Sequence, residues 1–320
     1  MGLDLGLLGV TARGSVWIAT LGVAVAAGTT IVFAAAGEIV AERAGILNLG
    51  LEGTMLVGAV SGFMATNASG NLAVGVLVAL IAGAAMGLLH AVLTVSLRAN
   101  QVVSGLALTI FGTGLSALLG RNSVGNPARV AFHVLRLPGL ADIPGLGRIL
   151  FQQNLLVYVA YGLVVVLWLV LYRTRLGLHL RAVGENAATA DAMGVSVTLV
   201  RYGAVIAGAS LAGLAGAYLS LARTPGWNEG MTAGRGWIAI GLVIFARWNP
   251  LGALLGGYLF GLMESLNFYF QAEGITISPF FLGMLPYLFT VVAVLLAAAG
   301  RARRLGAPAD LGVPYEREEA

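Results

Sequence analysis

The sequence has no cysteine and no lysine; all 18 of its basic residues are arginine. Without thiols there is no disulfide and no thiolate metal site. Without lysine there is no Walker A phosphate ligand, no Schiff base and no lysine general base. Charge of either sign is scarce, at 10% of 320 residues against 58% hydrophobic, whereas soluble domains carry roughly 25% charged residues. That excludes a soluble domain. The three histidines, His90, His133 and His179, are far apart and none falls in a His-Glu-x-x-His pattern. No Gly-x-Ser-x-Gly elbow occurs and the carboxylates show no catalytic spacing, so neither a zinc site nor a membrane enzyme has support.

Apolar runs fill the space that charge leaves, at 15–36, 47–66, 72–97, 102–120, 155–172, 199–222, 237–246, 251–270 and 279–299. A helix of about 20 residues crosses the hydrocarbon core, so the chain is expected to be all-α, a polytopic helical bundle of about 8–10 membrane segments. The first run, with Arg13 ahead and alanines at 34–36 behind, has the outline of a signal peptide, but it exceeds a signal core in length and reads as an anchor helix. The seventh, at about ten residues, must borrow length from 231–236 or form a broken helix lining a cavity. Net charge is +4 with a pI near 9.7. The arginines stand between apolar runs, where they set topology, and call for no nucleic acid. Two clusters, Arg173, Arg175 and Arg181, then Arg301, Arg303 and Arg304, belong in the cytoplasm, and alternation adds Arg43, Arg98 and Arg247. The amino terminus is then outside. The stretch 121–153, with Pro127, Pro138 and Pro144, becomes an external loop of irregular turns, and 306–320 a polar cytoplasmic tail expected to be disordered.

Small residues recur four apart: Gly58 and Gly62, Gly83 and Gly87, Gly252 and Gly256, Gly257 and Gly261, Ala209 and Gly213, Ala212 and Gly216. Such rows let helix backbones approach closely in lipid. Polar side chains inside apolar runs are expensive there and mark candidate sites. Asn48 and Glu52 share a helix face; either they line an interior path, or Glu42 and Arg43 are solvated interface charges and Asn48 bonds a neighbouring helix. Asn100 and Gln101 suit a neutral polar solute or interhelical bonding equally. Trp227 and Trp237 are interfacial anchors or ligand stackers, and Glu264 and Asn267 share a face. Between the fifth and sixth runs, Asn186 is a good N-cap and Gly194 a good stop, which predicts a helix of about two turns held outside the membrane. It is a docking element for another protein or an idle surface helix.

The stretch Arg181-Ala-Val-Gly-Glu-Asn-x-x-x-Ala-x-x-x-Gly194-Val resembles the coupling motif of permease subunits in ATP-binding-cassette (ABC) importers of the ribose and branched-chain amino acid superfamily. Three more stretches, Glu42-Arg43-Ala-Gly-Ile-Leu-Asn48-Leu-Gly-Leu-Glu52-Gly53, Ala99-Asn100-Gln101-Val-Val-Ser-Gly105, and Met231-Thr-Ala-Gly-Arg235-Gly with Phe245-Ala-Arg247-Trp248-Asn249-Pro250-Leu-Gly252, are similar to its nucleoside-uptake subgroup. The resemblance covers about residues 20 to 300. It implies a type II importer permease in the cell (inner) membrane, a single transmembrane domain over 1–305 with a cytoplasmic coupling loop at about 173–198. It also implies a second permease subunit, most simply as a heterodimer, in surrounding lipid, an external substrate-binding lipoprotein that delivers a nucleoside, and no cofactor in this chain, with ATP and Mg held by a cytoplasmic ABC ATPase. Residue by residue, Arg181, Gly184, Glu185, Asn186, Ala190, Asp191 and Gly194 would couple to that ATPase, and Asn48, Glu52, Asn100, Gln101 and Glu264 would face the pathway. Larger or prolyl residues often stand in the family where this chain has Ala187 and Ala188. Three rival expectations are an ion-coupled secondary transporter using Glu52 or Glu264, a permease for simple sugars, and a noncatalytic membrane scaffold. Gly184→Pro or Asp191→Arg is expected to abolish ATPase association in a chain that still folds.

Overall fold

The computed structural model describes residues 5–272, scattered positions from 274 to 295, and residues 306–316. The last apolar run, 279–299, and Arg301, Arg303 and Arg304 therefore lie mostly or wholly outside the described residues. The elements are α1 Leu5–Arg43, α2 Leu51–Ser69, α3 Leu72–Ala91 with a π-helical extension Val92–Ser96, α4 Gln101–Gly120, β1 Val134–Arg136, α5 Leu146–Leu150 and β2 Gln152–Asn154. They continue with α6 Leu155–Arg173, α7 Arg175–Glu185, α8 Ala187–Ala192, α9 Val197–Tyr218 with a π-helical extension Leu219–Arg223, α10 Arg235–Phe245 and α11 Pro250–Ala272. Five of the described helices are long and apolar enough to cross a membrane.

Helix α2 sits in the middle of the bundle, where 13 of its 19 residues are buried on all sides against α3, α4, α9 and α10. Most of it is enclosed by other helices, Met64 being the large side chain left exposed, and its glycines serve those contacts. Gly58 of α2, Gly213 of α9 and Gly83 of α3 form one line of contact in which a Cβ on any of them would fall on a neighbour's backbone. Helix α1 lies on α9, α10 and α11, and Gly261 of α11 meets the backbone of Gly28. The expected small-residue rows thus serve close approach, as lipid packing requires.

Between α4 and α6 the expected irregular turns are only part of the structure. Val134, Leu135 and Arg136 pair antiparallel with Asn154, Gln153 and Gln152, and α5 fills the loop. The seventh run is a half-length helix, since α10 has only 11 residues and follows the irregular segment 224–234. Arg43, Arg98 and Arg247 gather at one end of the bundle with α7 and α8, as topology predicts: Arg43 donates to the Arg247 carbonyl at 3.3 Å, and Arg98 pairs with Glu316.

Candidate functional site

At that end the chain leaves α1 and re-enters the bundle as α2 through residues 44–50, a largely buried stretch in which the Ala44, Gly45 and Ile46 amides turn back on the Ala41 and Glu42 carbonyls of α1 and the amides of Leu47, Asn48 and Gly50 bond to side chains instead. Every exposed amide inside a bundle must find an acceptor. Side chains supply them: Glu38 Oε1 accepts from the Asn48 N–H at 2.8 Å, Gln101 Oε1 from the Leu47 N–H at 2.7 Å, and Asn48 Oδ1 from the Gly50 N–H at 2.9 Å. The Leu47 carbonyl, which can only accept, lies 3.0 Å from His90 Nε2, so that nitrogen carries the proton and Nδ1 accepts from Ser104 Oγ at 3.0 Å. Gly45 makes the reversal at φ +84°, a conformation that L side chains rarely adopt.

Glu52 is the second clamp. Its Oε1 accepts from Thr232 Oγ1 at 2.6 Å and from the Gly234 N–H at 2.8 Å, while Oε2 accepts from the Gly236 N–H at 2.7 Å. The carboxylate therefore sits at the amino-terminal end of the half-length helix α10, where unpaired amides and the helix dipole both favour an anion. A Cβ on Gly236 would stand 2.6 Å from the Glu52 nitrogen, so only glycine allows this approach. Between those two glycines, Arg235 binds Glu264 Oε1 at 2.6 Å, with Arg223 3.9 Å from the same oxygen.

The short helix between α7 and α9 forms as its signals predict. Asn186 Oδ1 accepts from the Thr189 N–H at 2.7 Å, and Gly194 ends α8 at φ +83°. Ala187 and Ala190 pack inward against Val183 and Val197, whereas Met193 at the tip is 80% exposed. Of the expected coupling residues, Glu185, Asn186 and Gly194 are exposed, Arg181 and Asp191 half-buried, and Gly184 and Ala190 buried. Gly184 packs on the Arg43 carbonyl, and a Cβ there would fall on that oxygen. Gly184→Pro would therefore disturb the bundle as well as any docking, contrary to the expectation that such a chain stays folded, and Asp191→Arg is the better probe.

Of the five expected pathway residues, Asn48, Glu52 and Gln101 converge on the clamps around α2 and are buried, while Asn100 is exposed and caps α4 through the Val102 and Val103 amides. Glu264 is half-buried in its ion pair. Three readings change. Glu42 is 1% exposed and accepts from Trp248 Nε1, so it is no solvated interface charge. Trp227 is fully buried against Leu56, Val60 and Phe63, neither a membrane anchor nor a stacker. The tail is ordered over 306–316: Asp310 N–H donates to the Gly184 carbonyl, Gly312 N–H to the Gly45 carbonyl, and the buried Arg201 to the Val313 carbonyl. Sequence reasoning gave no role to Glu38, His90 or Arg201, whose signal was a polar side chain in an apolar run.

Residues 20–298 match the family described as branched-chain amino acid transport system / permease component. A putative glucose ABC transporter permease protein of Haloferax volcanii is 41% identical, over 93% of this chain and 97% of its own length. A nucleoside ABC transporter permease protein of Lactococcus lactis is 36% identical, over 84% and 88%, and a guanosine ABC transporter permease protein of Bacillus subtilis 32%, over 89% and 92%. No solved structure gives a significant match.

Proposed function

We propose, from the premise that this chain belongs to the family of branched-chain amino acid transport permease components, that it carries a nucleoside inward and that α8 is the element its ATPase grips. The chain is a multi-pass membrane permease subunit of an ABC transporter; ATP hydrolysis belongs to a separate subunit, and an external binding protein belongs to the same system. The observation that carries the coupling assignment is the geometry of α8: capped at both ends, packed on one face and open on the other, beyond the end of the bundle where Arg43, Arg98 and Arg247 gather. Two permeases around one pathway complete the assembly, and Asn100 and Glu264 retain surface that can meet it. Asn48, Glu52 and Gln101 contribute by holding the helix ends that shape it.

Two relatives named for nucleosides or guanosine support the solute class. Glucose is the second reading, on the relative that is 41% identical. The solute is selected before it reaches this chain, so the test is to co-purify the assembled complex with its external receptor and identify the bound small molecule by mass spectrometry. A purine or pyrimidine nucleoside is expected. A hexose there would replace the nucleoside assignment and leave the permease role intact.

A further inference from the structure

Helix α7 begins where the membrane span α6 ends, with only Thr174 between them; Thr174 Oγ1 accepts from the Gly177 N–H at 3.2 Å and caps the new helix. The two helices meet closely, because a Cβ on Gly177 would fall on the Val170 and Leu171 carbonyls. The first turn of α7 therefore stands at the depth of the last turn of α6, and the helix runs across the arginine-rich end of the bundle against α1 and α9. Gly177, Val183 and Gly184 are buried beneath it. Its outer side leaves Leu176 74% and Leu178 56% exposed, beside the exposed Arg175. Apolar exposure along the chain thus does not stop where the span does: Val165, Val166 and Leu169 are exposed on α6, and Leu176 and Leu178 continue the series. The charges fit the same boundary. Arg173 ends α6 with its guanidinium 5.8 Å from the centre of the Trp168 ring, and Arg181 lies 5.3 Å from that of Tyr172. Neither these two nor Arg175 pairs with a carboxylate among the described residues, and Glu185 stands at the opposite end of α7 from Arg175.

We propose that α7 is an interfacial helix seated in the cytoplasmic leaflet, with Leu176 and Leu178 at the boundary of headgroups and acyl chains and the guanidiniums of Arg173 and Arg175 on the phosphates of anionic lipid. A helix that lies in the membrane surface buries apolar side chains in that boundary and carries its basic residues beside them. Trp168 and Tyr172 in the last two turns of α6 mark the headgroup level, where such rings concentrate. An arginine there lays its stem along apolar surface while its head reaches the phosphate in a charge-assisted, bidentate contact. Every phospholipid offers a phosphate, but a negatively charged leaflet adds about fivefold in attraction for each basic residue near it. A protein that covered Leu176 and Leu178 would have to enter the lipid boundary beside α6, because Gly177 fixes α7 at that depth. Helix α7 passes into α8 through the single residue Asn186, so its seat in the leaflet also sets the height of α8 against the membrane.

The chain has no native cysteine, so Leu178→Cys can carry a single environment-sensitive fluorophore in the assembled permease–ATPase complex, reconstituted in nanodiscs of phosphatidylcholine and phosphatidylglycerol. Doxyl-labelled lipids, with the nitroxide at the headgroup end of the acyl chain, are the quenchers. Quenching is expected both with the ATPase bound and after its removal. Doxyl phosphatidylglycerol is expected to reach half its effect at a mole fraction about three- to tenfold lower than doxyl phosphatidylcholine, a preference that shrinks at high salt. Arg173→Gln with Arg175→Gln should cut that preference to about twofold or less while quenching itself persists; both side chains are exposed, and Arg181 stays at the same end. A fluorophore that lipid does not quench, or that the ATPase shields, overturns the interfacial seat and gives the face to a protein. Quenching by both lipids without preference, or a preference that the double variant keeps, overturns the headgroup contact.

Discussion

Replacing Glu52 by glutamine is expected to unlock α10 from α2 and to prevent the chain from accumulating as a monodisperse membrane protein. Three donors, the Thr232 hydroxyl and the Gly234 and Gly236 amides, converge on this one carboxylate inside the bundle. A glutamine side chain offers a single acceptor oxygen and, in either orientation, turns its NH2 toward at least one backbone amide, Gly236 or Gly234, that cannot accept from it. Hydrogen bonds to a charged acceptor contribute about 1.5–3 kcal/mol each, and a buried donor left unpaired costs its desolvation besides, so a loss of about 3–5 kcal/mol follows. The readout is the yield and apparent melting temperature of detergent-solubilised protein by size-exclusion chromatography. Glu52→Asp, which keeps the charge but shortens the reach, should fall between the two. A Glu52→Gln chain that melts with the parent would remove the clamp, and with it the explanation of how a half-length helix is held in place.

Gly213→Val is expected to be comparably severe, for a steric reason. Gly213 stands where α9 crosses both α2 and α3, with the Ala79 carbonyl occupying the position its Cβ would need and Gly83 Cα 3.0 Å from that position. The obstacle is backbone, which cannot rotate aside as a side chain would, so three helices must separate or the variant must remain unfolded. Overpacking of a core typically costs about 1–3 kcal/mol, and a backbone obstacle belongs at or above the top of that range. Gly203 lies on the same helix with nothing within 4 Å of its Cβ position. Gly203→Ala should leave melting unchanged or raise it, since alanine is favoured over glycine in a helix by about 0.5–1 kcal/mol. Equal tolerance at both positions would contradict a bundle held by backbone contact along α9.

What the sequence made legible was local. The cap at Asn186 and the stop at Gly194 are read from residues eight apart, and α8 forms between them. The shortness of α10 follows from the length of one apolar run, and the rows of small residues follow from a helical period. The clamps were hidden because their meaning depends on a distant partner: Glu42 meets Trp248 across 206 residues, and Glu52 meets Gly236 across 184. Polarity in an apolar run marked Asn48, Glu52 and Gln101, yet it cannot separate a side chain that faces a solute from one that holds an unwound backbone. Composition likewise misled at the tail, where eleven mostly small or polar residues are ordered by bonds to Gly184 of α7, to Gly45 just past α1 and to the Arg201 side chain of α9 that no pattern within 306–316 announces.

The clamps also bear on the ion-coupled rival, which needs a carboxylate free to bind and release a cation. Glu52 is held by three donors and Glu264 is paired with Arg235, so neither is arranged for that exchange. The account therefore stands on motion imported through α8. Proteoliposomes that hold the permease assembly with its ATPase and receptor, loaded with ATP and given labelled guanosine, test this most directly when compared with a preparation carrying Asp191→Arg and with this chain alone. The account predicts ATP-dependent accumulation in the first, loss of both accumulation and ATPase association in the second, and none in the third under any ion gradient. Accumulation by this chain alone on a proton or sodium gradient, or full coupling in the Asp191→Arg assembly, would contradict it.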